Sequence, residues 1–378
     1  MDPTIRLLKQ LVSLDSVNPA LVPGAAGEAV IARALADELQ SAGLSVTVQE
    51  VAPGRPNVIA VLEGGISGRS LMLCGHIDTV GVARMDAPFD PRERGGRLYG
   101  RGSQDMKGGV AAMVGAARVL AESGGVSAGR LIIACVVDEE HESLGADALV
   151  TEWQADAAIV TEPTDLSIAV AHKGFEWVQV ETEGRAAHGS RPLDGRDAIL
   201  RMGRVLSALE TLDRTLQAGP PHPLLGTASL HASLIDGGRE LSSYPDRCVL
   251  QLERRTIPGE RTGLAGPEVE RLLDPLRAQD RDFHASSRVL FARAPYEIAA
   301  DHPLPRALAN AAMAVGCPSS LTGMSFWTDA AILGAAGIPS VLFGPRGAGL
   351  HSLEEWVDVA SVLTCRDALV ELTRAWCR

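Results

Sequence analysis

The chain has 378 residues, with 35 Lys and Arg against 47 Asp and Glu. The resulting formal net charge of −12 argues against non-specific binding to nucleic acid or an anionic membrane and favours a small polar substrate. That length suggests two domains; with no apolar run of about 18 residues and no basic-then-apolar leader after Met1, a cytoplasmic protein outside the membrane is the expectation.

Asp2 and Pro3 start a helix whose stripe is Leu7, Leu8, Leu11 and Val12, and Asn18-Pro19 stops it. A second helix is expected from Glu28 to Ala42, with Ile31, Leu35 and Leu39 on one face and Gly43 ending it. Short apolar strands follow at Ser45 to Val51, Asn57 to Leu62, Ser70 to Cys74, Leu131 to Val137 and Ala157 to Val160, and the spacing predicts a helix from Met106 to about Glu122. This alternation favours an α/β domain whose mixed sheet is covered by helices on both faces, and in such sheets ligands collect beyond the carboxyl ends of the strands. The scattered cysteines Cys74, Cys135, Cys248, Cys317, Cys365 and Cys377 form no C-x-x-C pair and are expected as buried free thiols, not metal ligands.

From Gly174 the texture changes. Phe175 to Glu183 mixes polar and apolar residues as a strand with one wet face does, and a helix is expected from Asp197 to Leu212. Strands near Ala228 to Leu234, Cys248 to Arg254 and Phe283 to Phe291, with a helix near Pro267 to Ala278, complete a compact α+β insert. The segment Pro305 to Gly316, a helix around Asp329 to Gly337 and the strand Ser340 to Phe343 resume the first texture. The expected plan is a catalytic domain of residues 1–175 and 293–378, interrupted by a smaller domain of residues 176–292.

The chemistry-bearing residues cluster at strand ends. His76 follows the run Ser70-Leu-Met-Leu-Cys74, Asp78 lies two residues on, and Asp105 sits among glycines in Gly100-Arg-Gly-Ser-Gln-Asp-Met-Lys-Gly-Gly109. Asp138-Glu139-Glu140 follows one strand, Glu162 precedes Pro163, and His351 lies near the C-terminus. Singly, each has a plain reading as a loop, cap or solvated charge. Jointly, two imidazoles and several carboxylates make a donor set for a divalent metal, with zinc the expectation. Adjacent carboxylates such as those of Asp138, Glu139 and Glu140 can supply one ligand and one free base, and Asp78 can orient the His76 ring from behind.

In order and spacing these motifs resemble the M20 metallopeptidase family, which includes acetylornithine deacetylases, succinyl-diaminopimelate desuccinylases, aminoacylase-1 and glutamate carboxypeptidases. The resemblance runs from Ser16-Val-Asn-Pro19 through Gly75-His-Ile-Asp78, the Asp105 loop, Asp138-Glu-Glu-His-Glu-Ser-Leu-Gly145 and Thr161-Glu-Pro163 to His351 and Glu355. It implies a zinc-dependent exopeptidase-like α/β domain interrupted by an α+β lid and dimerisation domain. It also implies two zinc ions, for which cobalt or manganese could substitute: Asp105 bridges them, His76 and Glu162 complete one, and Glu140 and His351 the other.

By the same resemblance Glu139 is the general base that activates water, Asp78 orients His76, and His188 supports the oxyanion. Arg255 would grip a substrate carboxylate, and the Asp105-Met106 peptide would be cis. Two departures stand out. Ser242 or Ser243 takes the place of an Asn that relatives carry, which weakens the contacts expected of that loop, and Ser325-Phe-Trp-Thr-Asp-Ala330 replaces a Gly-Thr-Ser-Asp pattern. The implied activity is hydrolysis of an N-acyl amino acid by a homodimer assembled through the lid. A carboxypeptidase or dipeptidase acting on a short peptide is the alternative, and a non-catalytic ligand-binding paralogue a third.

Overall fold

The computed structural model describes all 378 residues. Its chain divides into two compact units, one of Met1–Val170, Ile298–Thr322 and Thr328–Arg378, the other of Ala171–Glu297 and Gly323–Trp327.

The first unit is built on a mixed sheet. Its strands run Ser45–Ala52, Arg55–Glu63, Arg130–Val136, Ser70–His76, Ala158–Val160, Ser340–Leu342 and Ile168–His172 across the sheet. The outer pairings are antiparallel, whereas Arg130–Val136, Ser70–His76, Ala158–Val160 and Ser340–Leu342 are mutually parallel. Parallel strands end on the same edge, so His76, Asp138–Glu140 and Glu162 emerge together beyond the carboxyl ends. Ser70–His76 is buried along its whole length, which explains why its sequence is continuous apolar rather than alternating.

The helix Gly108–Glu122 packs on Ser70–His76 and Arg130–Val136, with Pro3–Ser13 and Val359–Trp376 beside it. Gly109 is required at its start: a Cβ there would collide with the Thr161 carbonyl, immediately before Glu162. The expected helix start at Met106 is displaced by a wide turn at Ser103–Lys107, and the regular helix begins at Gly108. The displacement has a local cause, since Asp105 and Met106 hold non-helical dihedrals. The Asp105–Met106 peptide is cis, as the family resemblance implies. No element is expected past Phe343, yet the 18-residue helix Val359–Trp376 closes the chain, burying Val362, Cys365, Leu369, Leu372 and Trp376. Leu144–Glu152 is a further helix absent from the sequence reading.

In the second unit the strands Ser229–Gly237, Arg247–Thr256, Gly174–Glu183 and His284–Arg293 form an antiparallel sheet in that order. Helices Ala198–Gln217 and Ala265–Gln279 cover one face, where Met202, Val205, Leu209, Val269 and Leu273 meet Val178, Val180, Leu250 and Leu252. Together the two units have the α/β architecture with an α+β insertion that the sequence leads one to expect. All six cysteines are free and buried, and no helix is long and apolar enough to cross a membrane.

Candidate metal centre

His76 ends its strand with a side chain only 1% exposed. Its Nδ1 lies 3.0 Å from the Asp78 carbonyl oxygen and 3.5 Å from the Asp78 carboxylate. The nearer contact is therefore the main chain, so Nδ1 carries the proton and Nε2 is the free donor. Nε2 faces Asp105 Oδ1 at 3.1 Å, Glu162 Oε1 at 3.8 Å and Glu139 Oε2 at 3.9 Å. His351, held at φ +57° in a loop and half exposed, points its Nε2 at Asp105 Oδ2 (3.3 Å) and Glu140 Oε2 (3.1 Å). One Asp105 oxygen thus faces each imidazole.

Two carboxylates that receive no separate role in the sequence reading hold this arrangement. Glu355 is fully buried and accepts hydrogen bonds from the backbone N–H groups of Gly102 (3.0 Å), Gln104 (2.9 Å) and Asp105 (3.1 Å), while Arg101 donates to it at 2.7 Å. It fixes the Asp105 loop through its main chain. Asp138 does the same for the turn after it, accepting from the N–H groups of Glu142 (3.3 Å) and Leu144 (3.4 Å). No sequence signal marks Glu355, since the burial of its partner Arg101, which makes a carboxylate necessary there, exists only in the folded chain.

The electrostatics are those of an anionic pocket. Burial pushes the Glu139 and Glu162 carboxyls well up, with His76 opposing, and Glu140 is raised to about 7 by burial and by the neighbouring Asp105. Burial would raise Asp105 too, but hydrogen bonds from His351 and His76 hold it well below the usual range. His351 is raised to about 10, first by Asp105 and then by Glu140. His76 is raised as well, the carboxylates Asp105 and Asp78 outweighing its burial.

A divalent cation fits this chemistry. His76, Glu139 and Glu162 offer ligand atoms within 4.8 Å of one another, as do His76, Asp105 and Glu140. Glu140 Oε1 is buried without a hydrogen-bond partner, a costly state for a carboxylate oxygen unless it serves a cation. Four carboxylates around two imidazoles leave excess negative charge, and oxygen with imidazole nitrogen is a zinc-type donor set.

The other residues singled out by sequence lie in the second unit. His188 is exposed, its Nδ1 2.7 Å from Ser190 Oγ and accepting the Ser190 N–H at 3.2 Å. The Ser242 carbonyl accepts the Gly189 N–H at 2.7 Å, so this loop lies against the His188 segment through its backbone. Strand alternation separates the twin arginines: Arg254 is fully buried between Glu260 and Glu268, whereas the Arg255 side chain is 30% exposed and pairs with Glu253. Trp327 packs edge-on against Phe175 and His172 and donates to the Ala294 carbonyl, a packing role.

Comparison with known proteins shows the family that the motifs resemble. The model of peptidase family M20/M25/M40 matches residues 72–375. Acetylornithine deacetylase of Myxococcus xanthus is 32% identical over 354 residues, covering 90% of each chain. N-formyl-4-amino-5-aminomethyl-2-methylpyrimidine deformylase of Bacillus subtilis is 28% identical over 406 residues, covering 99% of this chain and 94% of its own. Among solved structures, a tripeptidase from Staphylococcus aureus shares the fold with a TM-score of 0.82 at 21% identity, covering 99% of this chain and 98% of its own.

Proposed function

The chain belongs to the M20/M25/M40 peptidase family of metal-dependent amide hydrolases, and we propose that it deacylates an N-acyl amino acid at a dinuclear zinc centre that His76, Asp105, Glu140, Glu162 and His351 would hold. The observation that carries this reading is the Asp105 carboxylate, whose two oxygens each face a different imidazole. His76 and Glu162 would complete one ion site, and Glu140 and His351 the other. Bound there, the ions would polarise the scissile carbonyl and acidify a water.

The remaining work falls to the protein. Glu139 takes the proton from the attacking water as oxygen bonds to the carbonyl carbon, then delivers it to the amine nitrogen as the C–N bond breaks. Burial raises its carboxyl well above the ordinary carboxylate range, which strengthens it as a proton acceptor. Its position is held through the main chain, since the Glu139 N–H donates to Asp78 Oδ1 at 3.2 Å. At His188 the Ser190 N–H occupies Nδ1, which leaves Nε2–H as a donor suited to an oxyanion. Arg255 is the exposed guanidinium of its pair and suits a substrate carboxylate, with Ser242 a shorter and weaker contact than the Asn of relatives.

A panel of N-acetyl, N-formyl and N-succinyl amino acids and dipeptides, offered to metal-free protein reloaded with zinc, cobalt or manganese, tests the reading. Turnover of one acyl amino acid at least about tenfold above any dipeptide, a gap of about 1.4 kcal/mol in transition-state binding, is expected. A dipeptide preference would instead make the chain a dipeptidase or carboxypeptidase, and bound metal with no turnover a silent paralogue. Six buried free thiols support a reducing, cytoplasmic address.

The open edge strand Ser229–Gly237 supports a homodimer: its outer side is unpaired, and Leu234 and Ile235 are 66% and 56% exposed. Sedimentation should give twice the 39.7 kDa chain mass, and Leu234→Lys with Ile235→Lys should give the single-chain mass. A wild-type protein that is monomeric at micromolar concentration refutes the dimer.

A further inference from the structure

Asn18 lies in the Ser16-Val-Asn-Pro19 motif, where by sequence it only stops a helix. In the structure it is fully buried, and its Nδ2 donates to Asp78 Oδ2 at 2.8 Å and to Asp138 Oδ1 at 3.0 Å. Its Oδ1 accepts the Ala20 N–H at 2.9 Å, and its own N–H goes to the Thr79 carbonyl at 2.9 Å. The amide is thereby fixed in orientation, because only the oxygen can take the Ala20 donor and the nitrogen must face the two carboxylates.

Both carboxylates hold the backbone that carries the reacting groups. Asp78 accepts the N–H of Glu139 on one oxygen and the N–H of Glu140 on the other, each at 3.2 Å, and its carbonyl holds His76 Nδ1. Asp138 directly precedes that glutamate pair at φ +71°, and its carbonyl accepts the Ser143 N–H at 2.6 Å. Arg55 anchors the far side, 2.8 Å from Asp138 Oδ1 and 2.9 Å from Glu28 Oε2 through its Nε. Glu28, Asp78 and Asp138 are all fully buried, with the Arg55 guanidinium on Glu28 and Asp138 and the Asn18 amide on Asp78 and Asp138.

We propose that Asn18 is a positioning residue of the hydrolytic centre, its carboxamide fastening the strand end that carries His76 to the turn that carries Glu139 and Glu140. The proposal rests on the reading of those three residues as ligand, base and ligand. The site calls for a neutral group with two donors on one atom. Aspartate would add a fourth carboxylate to the buried cluster, serine offers one donor, and leucine has the shape without the hydrogen bonds. Loss of the tie lets the glutamate pair shift relative to His76, and outer contacts of this kind change metal affinity or activity by about 10–100-fold.

The test compares the wild type with Asn18→Ser, Asn18→Leu and Asn18→Asp. Zinc affinity of the metal-free proteins is read by competition with a chromophoric chelator, kcat and KM on the best acyl amino acid, and folding by thermal melting. Zinc affinity and kcat should fall in the order Ser, Leu, Asp, by about 10–100-fold at Leu, with KM within about threefold. A variant that folds, binds zinc and turns over as the wild type does overturns the proposal. So does a fall in melting temperature with unchanged kcat per metal-loaded molecule, which would mark a merely structural role. Should Asn18→Leu not fold, the Ser variant alone decides between these outcomes. A wild type that binds no divalent metal or cleaves no amide refutes the functional reading instead.

Discussion

Glu139→Gln is expected to lose about 10³–10⁴-fold in kcat while binding metal as tightly as the wild type. The substitution keeps the shape and the Glu139 N–H bond to Asp78, and it removes only the lone pair that accepts the proton. Glu139 is the member of the acidic pair turned away from His351: its Oε2 lies 3.9 Å from His76 Nε2, whereas Glu140 meets His351 at 3.1 Å. The two neighbours should therefore fail differently. Glu140→Gln should lower metal affinity first and kcat in consequence, which excess metal partly restores, while no metal concentration restores Glu139→Gln. Chelator competition and steady-state kinetics on both variants check this, and a Glu139→Gln enzyme with near wild-type kcat would refute the assignment of the base.

Much of the site was legible because strand ends are. A fully apolar run followed by His76, another followed by Asp138-Glu-Glu, and a third followed by Thr161-Glu162 place their polar residues on one sheet edge if the strands are parallel, and they are. Asp105 was legible for another reason, since glycines on both sides announce an unusual backbone. Glu355 and Asn18 were not, because each acts through contacts with residues far away in the chain: Glu355 with Arg101 and the Asp105 loop, Asn18 with Asp78 and Asp138. Nothing local marks such a residue. The helix Val359–Trp376 is a different omission, since Val362, Leu369 and Trp376 stand a whole number of heptads apart and its period was there to be read.

Asp105→Ala is expected to reduce bound metal from two equivalents to at most one and to lower kcat/KM by about 10⁴-fold, the loss that follows when several kcal/mol of charge stabilisation disappear. Asp105 gives one oxygen to each imidazole at hydrogen-bond distance, whereas Glu140, the other carboxylate near both, makes that contact with His351 alone, so no neighbour supplies the same pair. The same change should weaken a pH-dependent stabilisation by metal whose sign the site dictates. In metal-free protein the Glu139, Glu140 and Glu162 carboxyls are raised on folding, so the unfolded chain releases those protons first, and stability falls as pH rises from about 4.5 toward the folded values, about 7 for Glu140. His351, raised to about 10, stabilises the fold fully below about 6.5 and loses that contribution as pH climbs through 10. Asp105, held low, contributes stability above its ordinary value that is lost only in acid. The metal-free fold therefore weakens from about pH 4.5 to about 10, over the range in which the ligands shed the protons that compete with the cation. Melting temperatures with zinc and with chelator should diverge as pH rises over that interval in the wild type and diverge less in Asp105→Ala. A metal-induced rise that shrinks toward pH 8 would show that these carboxylates and imidazoles are not the ligands.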